Sequence, residues 1–479
     1  MPEPASRDLF TERYRSHHDA EHQLAAALTP GRPGGSGHPS WIPKHPTGMM
    51  KYLGKIMKRL AGKTGRPPGM PDYWPQVEKI LRGDFAPEQH NGKRGSRGIY
   101  FHVPYCDRIC SFCNLNRTGV HSADLEDYTN YLIAGIEEWA AYPYIQNGEF
   151  DAVYFGGGTP TVLDTDQLTR ILRTLRRRFP LREDCEITVE STQHNLPAEK
   201  AAALEAEGVN RLSIGIQTFS EVGRKLLGRT YGSEQAVEKL AALRAAFTGV
   251  LGIDLIYSYP RQSPEEARFD AETFLASGAD GVSFYSLMIH HGSALAKSIE
   301  AGNLAFERDI AFDKERHHLL YHTLREGGLF LLELSKMARP GRDRYRYIHI
   351  QYEGEDLIPI GSGAGGRIAG YPIYSMAPGR RFVSAADTDY GSYYRILGML
   401  QFGRYDPEAI TAGLDGRAAA AVREKLRDFA AAGYLEPVPE SSAYTLSADG
   451  VFWGNNLAVE TLKTAIGAER KKEEPWARR

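Results

Sequence analysis

Short apolar runs alternate with longer amphipathic stretches from Gly98 onward. The apolar runs have the length of β-strands, and the amphipathic stretches have the length and spacing of helices. A regular alternation of strands and helices predicts parallel strands joined by right-handed crossovers. We therefore expect an α/β fold with a partial TIM-like (β/α)6 barrel. The predicted strands are 99–103, 151–155, 186–190, 211–216, 250–257 and 281–287.

Two of the intervening helices carry clear start signals. The stretch Ser122–Tyr142 opens with a serine and acidic residues, and Ala198–Glu207 follows Pro197. Such residues favour the first turn of a helix. In barrels of this kind, chemistry is carried by the carboxyl ends of the strands. We therefore look for functional residues at the ends of the predicted strands.

The chain divides into four predicted segments by composition. Residues 1–95 are rich in glycine and proline and read as an N-terminal extension packed on the catalytic body. A basic, amphipathic helix is predicted at Met49–Lys63. We expect its charged face to be exposed to solvent and not to contact an anionic membrane or an acidic partner. The barrel covers 96–370, a small helical domain with a winged turn covers 385–465, and a charged, solvated tail covers 466–479.

Composition is that of an ordinary globular protein, with 42% hydrophobic and 25% charged residues. No apolar run approaches the roughly 18 residues that span a bilayer. We expect a cytoplasmic protein, without stable membrane insertion and monomeric. A formal net charge of -2 gives no global attraction for nucleic acid, and the C-terminal domain lacks a basic recognition helix.

Three cysteines follow the first predicted strand directly. Cys106, Cys110 and Cys113 have the spacing Cys-x3-Cys-x2-Cys. Three thiolates are one fewer than an ordinary iron-sulfur cluster takes, so a 4Fe-4S cluster held here would have one open iron. Zinc sites usually add a second Cys or His pair, which Cys185 does not supply. A disulfide framework is disfavoured in a chain of this length, and Cys185 reads as a buried thiol at a strand end.

Other polar and glycine residues fall at the same predicted strand ends. Glycines after the second strand would let a ligand approach the backbone, although a tight turn explains them equally well. Carboxylates and amides at strand ends could accept ribose hydroxyls, and an arginine could pair with a carboxylate. Singly, each also reads as a structural or surface residue. The residues are Gly156, Gly157, Gly158, Thr159, Glu190, Gln217, Arg229 and Asp254.

Four motifs carry a resemblance to a known family. They are Tyr100-Phe-His-Val-Pro-Tyr-Cys106, Tyr154-Phe-Gly-Gly-Gly-Thr-Pro-Thr161, Arg211-Leu-Ser-Ile-Gly-Ile-Gln-Thr-Phe219 and Gly252-Ile-Asp-Leu-Ile-Tyr257. Together they resemble, in order over residues 97–300, the oxygen-independent coproporphyrinogen III oxidase-like family of radical S-adenosylmethionine (SAM) proteins. The resemblance implies a 4Fe-4S cluster on the three cysteines and two SAM molecules in one pocket. Tyr100, Gly157 and Glu190 would touch the cluster-bound SAM, and Phe112, Gly158, Thr159, Gln217, Arg229 and Asp254 the second.

Departures from the general family pattern indicate which branch of the family this chain resembles. The run Cys110-Ser-Phe-Cys-Asn-Leu115 lacks the extra cysteine of the coproporphyrinogen oxidases. The stretches Ser286–Ala294, Asp356–Gly366 and Leu446–Trp453 are similar instead to the anaerobic haem-degrading methyltransferase (anaerobilin synthase) branch. That resemblance implies haem methylation and ring opening to a linear tetrapyrrole with release of iron, and an electron donor such as flavodoxin or ferredoxin.

Two other functions stay open on the sequence. One is a different two-SAM enzyme of the same family, such as a porphyrinogen oxidative decarboxylase, a cyclopropane-forming enzyme or a natural-product C-methylating enzyme. The other is a haem chaperone, which would bind haem and return it intact.

Possible substrate contacts lie after the sixth strand. Arg339–Tyr347 offers arginines and aromatic rings for the propionates and the face of a tetrapyrrole, or is a solvated loop. His290 and His291 could ligate haem iron or be hydrogen-bonded loop residues. Gly361–Gly366 suggests a backbone edge against a flat ligand or a domain junction. By the resemblance, the C-terminal domain would form a lid over the barrel mouth.

Overall fold

The computed structural model describes residue 10 and the ranges 72–83, 95–113, 118–120, 124–290, 292–306, 309–377, 379–384 and 396–470. The predicted helix Met49–Lys63, His291 and the end of the predicted tail lie outside these residues. No described helix is both long and apolar enough to cross a membrane.

The strands, numbered in chain order over the described residues, are β1 Gly98–Val103, β2 Tyr105–Cys106, β3 Thr118–Gly119, β4 Phe150–Gly157, β5 Leu181–Ser191, β6 Arg211–Gln217, β7 Val250–Tyr257, β8 Gly281–Ser286, β9 Phe330–Glu333, β10 Lys336–Ala338, β11 Leu357–Ile360, β12 Gly365–Ile368, β13 Tyr371–Ala377, β14 Arg380–Val383, β15 Arg404–Tyr405, β16 Leu435–Pro437 and β17 Tyr444–Leu446.

The helices, numbered in the same way, are α1 Trp74–Arg82, α2 Leu125–Ala140, α3 Pro143–Gln146, α4 Thr165–Arg178, α5 Ala198–Ala206, α6 Glu221–Leu226, α7 Ser233–Ala246, α8 Pro264–Ala276, α9 Ala294–Glu300, α10 Ile310–Glu326, α11 Arg346–Glu353, α12 Pro407–Thr411, α13 Gly416–Ala431, α14 Ala448–Phe452 and α15 Gly454–Arg470. A 3-10 turn covers Pro160–Val162.

Six parallel strands form the centre of the main sheet. Their order is β1-β4-β5-β6-β7-β8, and each neighbouring pair is parallel. These are the six strands predicted from the apolar runs, in the predicted order. The mixed α/β fold with a partial barrel is therefore confirmed. Because all six strands run the same way, their carboxyl ends meet at one rim.

Short strands extend this sheet beyond both of its edges. β11 is parallel to β1, and β12, β13 and β14 continue from it as antiparallel strands. At the other edge, β10 is antiparallel to β8 and β9 is antiparallel to β10. The sheet consequently continues to Val383, beyond the barrel boundary at residue 370 predicted from the sequence.

Strand alternation separates an apolar outer layer from a polar interior. Ile99, Phe101 and Val103 are fully buried, and Phe101 stacks on Phe155 of β4 at 4.3 Å between ring centroids. Residues on the opposite face of the same strands include Tyr100 and Tyr154, whose rings stack at 6.3 Å. Burial of each apolar side chain contributes roughly 1.5–3 kcal/mol to folding. The outer layer thus holds the helices on the sheet.

Side-chain caps fix where several helices begin. Helix α2 begins at Leu125 because the Asp124 carboxylate accepts hydrogen bonds from the backbone amides of Glu126 and Asp127. It was predicted to begin at Ser122. Helix α5 follows Pro197, as predicted.

The segment around Arg339–Tyr347 closes the barrel at the amino-terminal ends of its strands. Asp343 forms a buried ion pair with Arg211, the first residue of β6, with an N–O distance of 2.9 Å. Tyr347 stacks on Tyr154 at 4.1 Å, and Arg339 donates to the Ala279 carbonyl at 2.9 Å. The buried side chains of Asp343, Tyr345 and Tyr347 do not fit a solvated loop. Contact of this segment with a substrate stays a prediction. The charged side chains and aromatic rings of this segment close the amino-terminal end of the barrel. We call Arg339–Tyr347 the plug.

The C-terminal domain contains the predicted hairpin and helices. β16 pairs antiparallel with β17, and α13 and α15 pack together. Helix α15 continues to Arg470 and buries Ile466, past the predicted domain end at residue 465. The domain contacts α10 and the β9–β10 hairpin, through Lys314–Asp449 at 2.8 Å and a hydrogen bond from the Leu334 amide to the Gln401 carbonyl at 2.9 Å. Its role as a lid stays a prediction.

Candidate functional site

The three cysteines lie on a loop at the carboxyl end of β1. Cys106 is buried in β2, whose pairing with β3 closes the loop, and Cys110 and Cys113 are partly buried. Ser111 anchors the loop to the end of α6: its hydroxyl donates to the Leu226 carbonyl at 2.7 Å, and its amide to the Leu227 carbonyl at 3.4 Å. The loop is thus fixed at the rim where barrel chemistry is expected.

The cysteine side chains have other hydrogen-bond partners in this conformation. The Cys106 sulfur lies 3.5 Å from the Thr159 hydroxyl, and Arg229 donates to the Cys110 sulfur at 3.0 Å. Among the described residues, no three His, Cys, Asp or Glu side chains stand close enough together to form a metal site. The donor chemistry of three thiols on one loop, none of them in a disulfide, fits a cluster with three thiolate ligands. Their side chains would turn from these partners toward it.

Cys185 lies apart from this loop, on β5. Its thiol is buried, and burial raises its pKa to about 12. A thiol in that state is a poor nucleophile and a poor metal ligand. The interpretation of Cys185 as a structural thiol agrees with this position.

The glycines after β4 pack directly against the cysteine loop. A Cβ atom on Gly158 would lie 2.4 Å from the Tyr105 carbonyl oxygen, and one on Gly157 would lie 2.6 Å from the His102 ring. Gly157 also has a φ of 117°, which disfavours any other residue. Part of the need for glycine here is therefore internal packing, which supports the tight-turn interpretation. A ligand edge at these glycines stays a proposal.

Tyr100, Gly157 and Glu190 come together on the β1–β5 side of the rim. The Glu190 carboxylate accepts hydrogen bonds from the Tyr154 hydroxyl at 2.6 Å and the Gly157 amide at 3.2 Å. The Tyr100 hydroxyl lies 3.0 Å from Nδ1 of His102. Burial, and then the Glu190 charge, raise the pKa of both Tyr100 and Tyr154. Both phenols therefore stay protonated and can donate hydrogen bonds.

Sequence reasoning gave no role to His102 and Tyr154. His102 faces the same way as Tyr100 because the two are separated by one residue in a strand, and Tyr154 is the register partner of Tyr100 on β4. That alternation within the quoted motifs was a signal that could have found them.

Gln217, Arg229 and Asp254 converge on the backbone of Gly215. The Gln217 amide nitrogen lies 2.8 Å from where a Gly215 Cβ would stand, and Arg229 donates to the Gly215 carbonyl. Asp254 is the register partner of Gly215 on the next strand. Gln217 has a φ of 74°, an uncommon conformation for a non-glycine residue. This β6–β7 group lies next to the Glu190 group, because β5 and β6 are neighbours in the sheet.

Phe112 and Thr159 are placed by packing near the cysteines. Phe112 packs on an apolar cluster that includes Leu227 and Leu295, and Thr159 is buried beside Cys106. Both belong to the same rim as the two groups above, and their contact with a ligand stays a proposal.

Two arginines beside Cys110 give the site a local excess of positive charge. Arg224, which the sequence analysis missed, is buried and donates to the carbonyls of Thr218 at 2.7 Å and Tyr231 at 2.6 Å. Burial and the neighbouring Arg229 lower the pKa of Arg224 to about 10. Within the described part of the chain Arg229 has no carboxylate partner, and its buried Nε has no hydrogen bond. An anionic group would be stabilised here.

The later glycine run packs on β1. A Cβ atom on Gly361, where φ is 104°, would lie 2.4 Å from the His102 carbonyl oxygen, and one on Gly363 would lie 3.1 Å from the His102 ring. This contact favours internal backbone packing. His290 lies just beyond β8 and is partly buried.

Comparison with known proteins places the chain in a superfamily. The profile of the radical SAM superfamily matches residues 100–272. Anaerobilin synthase of Escherichia coli O157:H7 is 34% identical over 278 residues, which span 57% of this chain and 62% of that protein, less than two thirds of it. The heme chaperone HemW of Lactococcus lactis is 30% identical over 290 residues, spanning 60% of this chain and 74% of that protein.

A solved structure shares the fold. Coproporphyrinogen III oxidase (HemN) of Escherichia coli, a radical SAM enzyme, has a TM-score of 0.65 at 22% identity, covering 79% of this chain and 94% of its own. The barrel and the superfamily match define a radical SAM protein, a class that implies a 4Fe-4S cluster and SAM. Within that class the chain belongs to the HemN-like family that its motifs predicted, near the anaerobilin synthase branch.

Proposed function

We propose that this protein is a radical SAM C-methyltransferase that uses two SAM molecules to methylate and open haem without oxygen, giving a linear tetrapyrrole and releasing iron. One observation carries the two-SAM part of the proposal. Two polar groups lie on neighbouring strands at the same rim as the cysteine loop: Glu190 with Tyr100, and Gln217 with Arg229 and Asp254. The anaerobilin synthase relative, at 34% identity, supports haem as the acceptor.

The proposed roles follow these two groups. Cys106, Cys110 and Cys113 would hold the cluster, and Arg229 would release the Cys110 sulfur to pair with the carboxylate of a ligand. Tyr100, Gly157 and Glu190 would position the first SAM, and Phe112, Gly158, Thr159, Gln217, Arg229 and Asp254 the second. When bound, the cluster and SAM supply radical chemistry at carbon. The residues contribute orientation and exclusion of water.

The cellular setting is part of the same proposal. A monomeric, cytoplasmic enzyme would receive electrons from a flavodoxin or ferredoxin and take a small-molecule substrate, haem or another tetrapyrrole, with no nucleic acid among its partners. The net charge of -2 agrees with the absence of a nucleic-acid partner.

A haem chaperone is the second candidate, and a specific observation favours it. The HemW relative is matched over a larger share of its own length, 74%, than anaerobilin synthase is, at 62%. A chaperone would bind haem and return it intact. Other two-SAM enzymes of the family acting on a different acceptor form a third class.

One anaerobic experiment separates these functions. The cluster is reconstituted, haem, SAM and a strong reductant are added, and haem absorbance is followed together with 5'-deoxyadenosine and S-adenosylhomocysteine. Loss of the haem band with both products, abolished by Cys110→Ala, supports the proposal. Both products with intact haem would mean a different acceptor. Tight haem binding with neither product would mean a chaperone.

The two-group arrangement has its own test. Arg229→Gln should raise the SAM concentration needed for S-adenosylhomocysteine formation by about tenfold or more, because a charge-assisted bond to a carboxylate is worth about 1.5–3 kcal/mol. The matched control is Lys225→Gln, which removes a positive charge from an exposed neighbour in α6. Equal SAM dependence in both variants would exclude this role for Arg229.

A further inference from the structure

A row of polar side chains crosses the barrel interior at the level of Asp254. Asp254 of β7 is the register partner of Ser283 on β8. Ser283 is in turn the partner of Lys336 on β10, and Lys336 is the partner of Glu333 on β9. Register partners on neighbouring strands present their side chains to the same face of a sheet. Three sequence neighbours of this row point the other way and are fully buried in the apolar outer layer: Ile253, Val282 and Met337.

Lys336 is a buried cation in the middle of this row. It is 3% exposed, its Nζ donates to the Ser283 hydroxyl, and the same Nζ lies 4.7 Å from the centroid of the Tyr345 ring in the plug. Within the part of the chain that the structure describes, no carboxylate oxygen lies within 4.0 Å of this ammonium. A buried charge is costly unless an opposite charge compensates it. The compensating carboxylate of Lys336 therefore has to lie slightly farther away.

Asp254 is the carboxylate that compensates Lys336 most strongly. The bond to Ser283 carries the ammonium over β8, so it stands about one strand spacing, ~5 Å between backbones, from Asp254. Burial lowers the pKa of Lys336, and the positive charge of Arg211 lowers it further. Of the carboxylates that raise this pKa, Asp254 has the largest effect, ahead of Glu333 in the same row.

Asp254 also connects the row to the candidate site. Its register partner on the other side is Gly215, whose carbonyl accepts a hydrogen bond from Arg229. Asp254 is only partly buried, whereas Glu333 at the far end of the row is 3% exposed. A ligand at the rim can therefore reach the Asp254 carboxylate, while Lys336 lies behind it in the interior.

We propose that Lys336 is a positioning residue for Asp254: its ammonium, held by Ser283, fixes the orientation of the carboxylate that contacts the second SAM. The inference rests on the proposed function, in which Asp254 belongs to the pocket of the second SAM. A positive charge behind a carboxylate in a poorly solvated interior favours one arrangement of its oxygens. Lys336 acts through Asp254 and does not touch the ligand itself.

The test measures SAM binding to the anaerobically reconstituted full-length protein. Calorimetry gives the number of SAM molecules and the affinity of each, and the electron paramagnetic resonance signal of the reduced cluster reports SAM at the open iron. Lys336→Met keeps the length of the side chain without its charge and should weaken the second SAM by about tenfold, with the first unchanged. The matched control is Lys463→Met, which removes an ammonium paired with Glu460 on α15.

A double-mutant cycle separates positioning from an independent effect. If Lys336 acts through Asp254, Lys336→Met should cause no further loss of SAM affinity in the Asp254→Asn background. Additive losses would overturn the proposal. So would wild-type SAM affinity in Lys336→Met together with a lowered Tm, because the charge would then only stabilise the barrel.

Ser283→Ala keeps the proposal testable if Lys336→Met does not fold. This variant retains the ammonium and removes the hydroxyl that holds it. It should weaken the second SAM by roughly threefold, and only while Asp254 is present. Wild-type SAM affinity in Ser283→Ala would overturn the proposal in that case.

The role of Lys336 and the fate of haem are separate readouts. Two SAM molecules bound in a Lys336-dependent way by a protein that leaves haem intact would keep the positioning role and refute haem opening. If the wild-type protein binds a single SAM, the two-SAM function fails. A loss of that one affinity in Lys336→Met, absent in the Asp254→Asn background, would then still support the positioning role, and an unchanged affinity would overturn it.

Discussion

Gly158 shows how one residue couples the glycine run to the cysteine loop. Its missing side chain leaves room for the Tyr105 backbone, and its amide donates to the Val103 carbonyl at 2.7 Å. Tyr105 precedes the first cysteine of the loop. A side chain at position 158 would therefore displace the backbone that positions Cys106.

We predict that Gly158→Ala loses most of its bound cluster. The new Cβ would meet the Tyr105 carbonyl oxygen at 2.4 Å, and such overpacking costs typically 1–3 kcal/mol. Iron content and visible absorbance after anaerobic reconstitution measure the effect, with Tm as a check on folding. Gly119→Ala is the control, since its Cβ would have no neighbour within 4 Å. Equal iron content in both variants would contradict the prediction.

Asp270 makes stability depend on pH. It is buried at 1% exposure beneath the loop after β6, where it accepts from the Thr218 hydroxyl and the Phe219 amide. Burial raises its pKa from 3.8 to about 7. In the unfolded chain the carboxyl ionises near its ordinary value, so unfolding releases a proton between these two pH values. Its contribution to stability is complete below about pH 4 and is lost as pH rises toward 7.

We predict that Asp270→Asn reduces this loss of stability. The amide stays neutral, so the difference in unfolding free energy between pH 5 and pH 7.5 should shrink relative to wild type, by roughly 1–3 kcal/mol. Urea unfolding at the two pH values measures it. Asp428→Asn is the control, because that carboxylate is exposed on α13. A wild-type pH dependence in Asp270→Asn would refute the assignment.

At the scale of elements, hydrophobic periodicity predicts a strand or helix when its burial does not depend on which particular residues pack against it. The six central strands were predicted because residues such as Ile99 and Phe101 face the helices, whatever those helices are. The plug after β10 was missed because Asp343 and Tyr347 are stabilised by Arg211 and Tyr154, more than a hundred residues away. An arginine-rich run has the composition of an exposed loop, so the local sequence does not indicate that this segment is buried.

The Arg211–Asp343 pair should decide whether the plug stays in place. We predict that Asp343→Ala lowers the free energy of unfolding by about 3–5 kcal/mol, because it leaves a fully buried guanidinium without its carboxylate. Denaturant unfolding measures the loss. Glu408→Ala breaks the exposed pair with Arg423 and should cost no more than about 1 kcal/mol. Arg211→Met with Asp343→Leu should recover part of the loss; no recovery would show that the pair is not the cause.

For the candidate site, sequence motifs predicted which residues share the rim but not their partners. Glu190, Gln217 and Asp254 lie at or near the ends of neighbouring strands, a consequence of parallel order that the alternation already contained. The contact of Arg229 with Cys110 and the burial of Arg224 depend on how the α6–α7 connection folds back over the cysteine loop. The hydrogen bonds of Ser111 and the apolar cluster under Phe112 hold this connection in place. These are contacts between distant parts of the chain, so no local sequence pattern predicts them.

At the scale of the whole molecule, Phe10 links the start of the chain to its C-terminal domain. Its ring is 2% exposed and lies 5.0 Å from Tyr434 and 5.4 Å from Trp453, measured between ring centroids. Tyr434 precedes the hairpin and Trp453 precedes α15. The domain core is therefore completed by a side chain from the opposite end of the sequence.

We predict that Phe10→Ala destabilises the C-terminal domain by about 3 kcal/mol, because removing a buried aromatic ring leaves a cavity against Trp453. Limited proteolysis should cut residues 396–470 faster than in wild type, and the tryptophan fluorescence transition should move to lower urea concentration. Phe269→Ala is the control, since that ring is 43% exposed on α8. If the domain owes its stability to its own helices alone, the two variants will unfold at the same urea concentration. A loss confined to Phe10→Ala would show that Phe10 is an integral part of the core of the C-terminal domain.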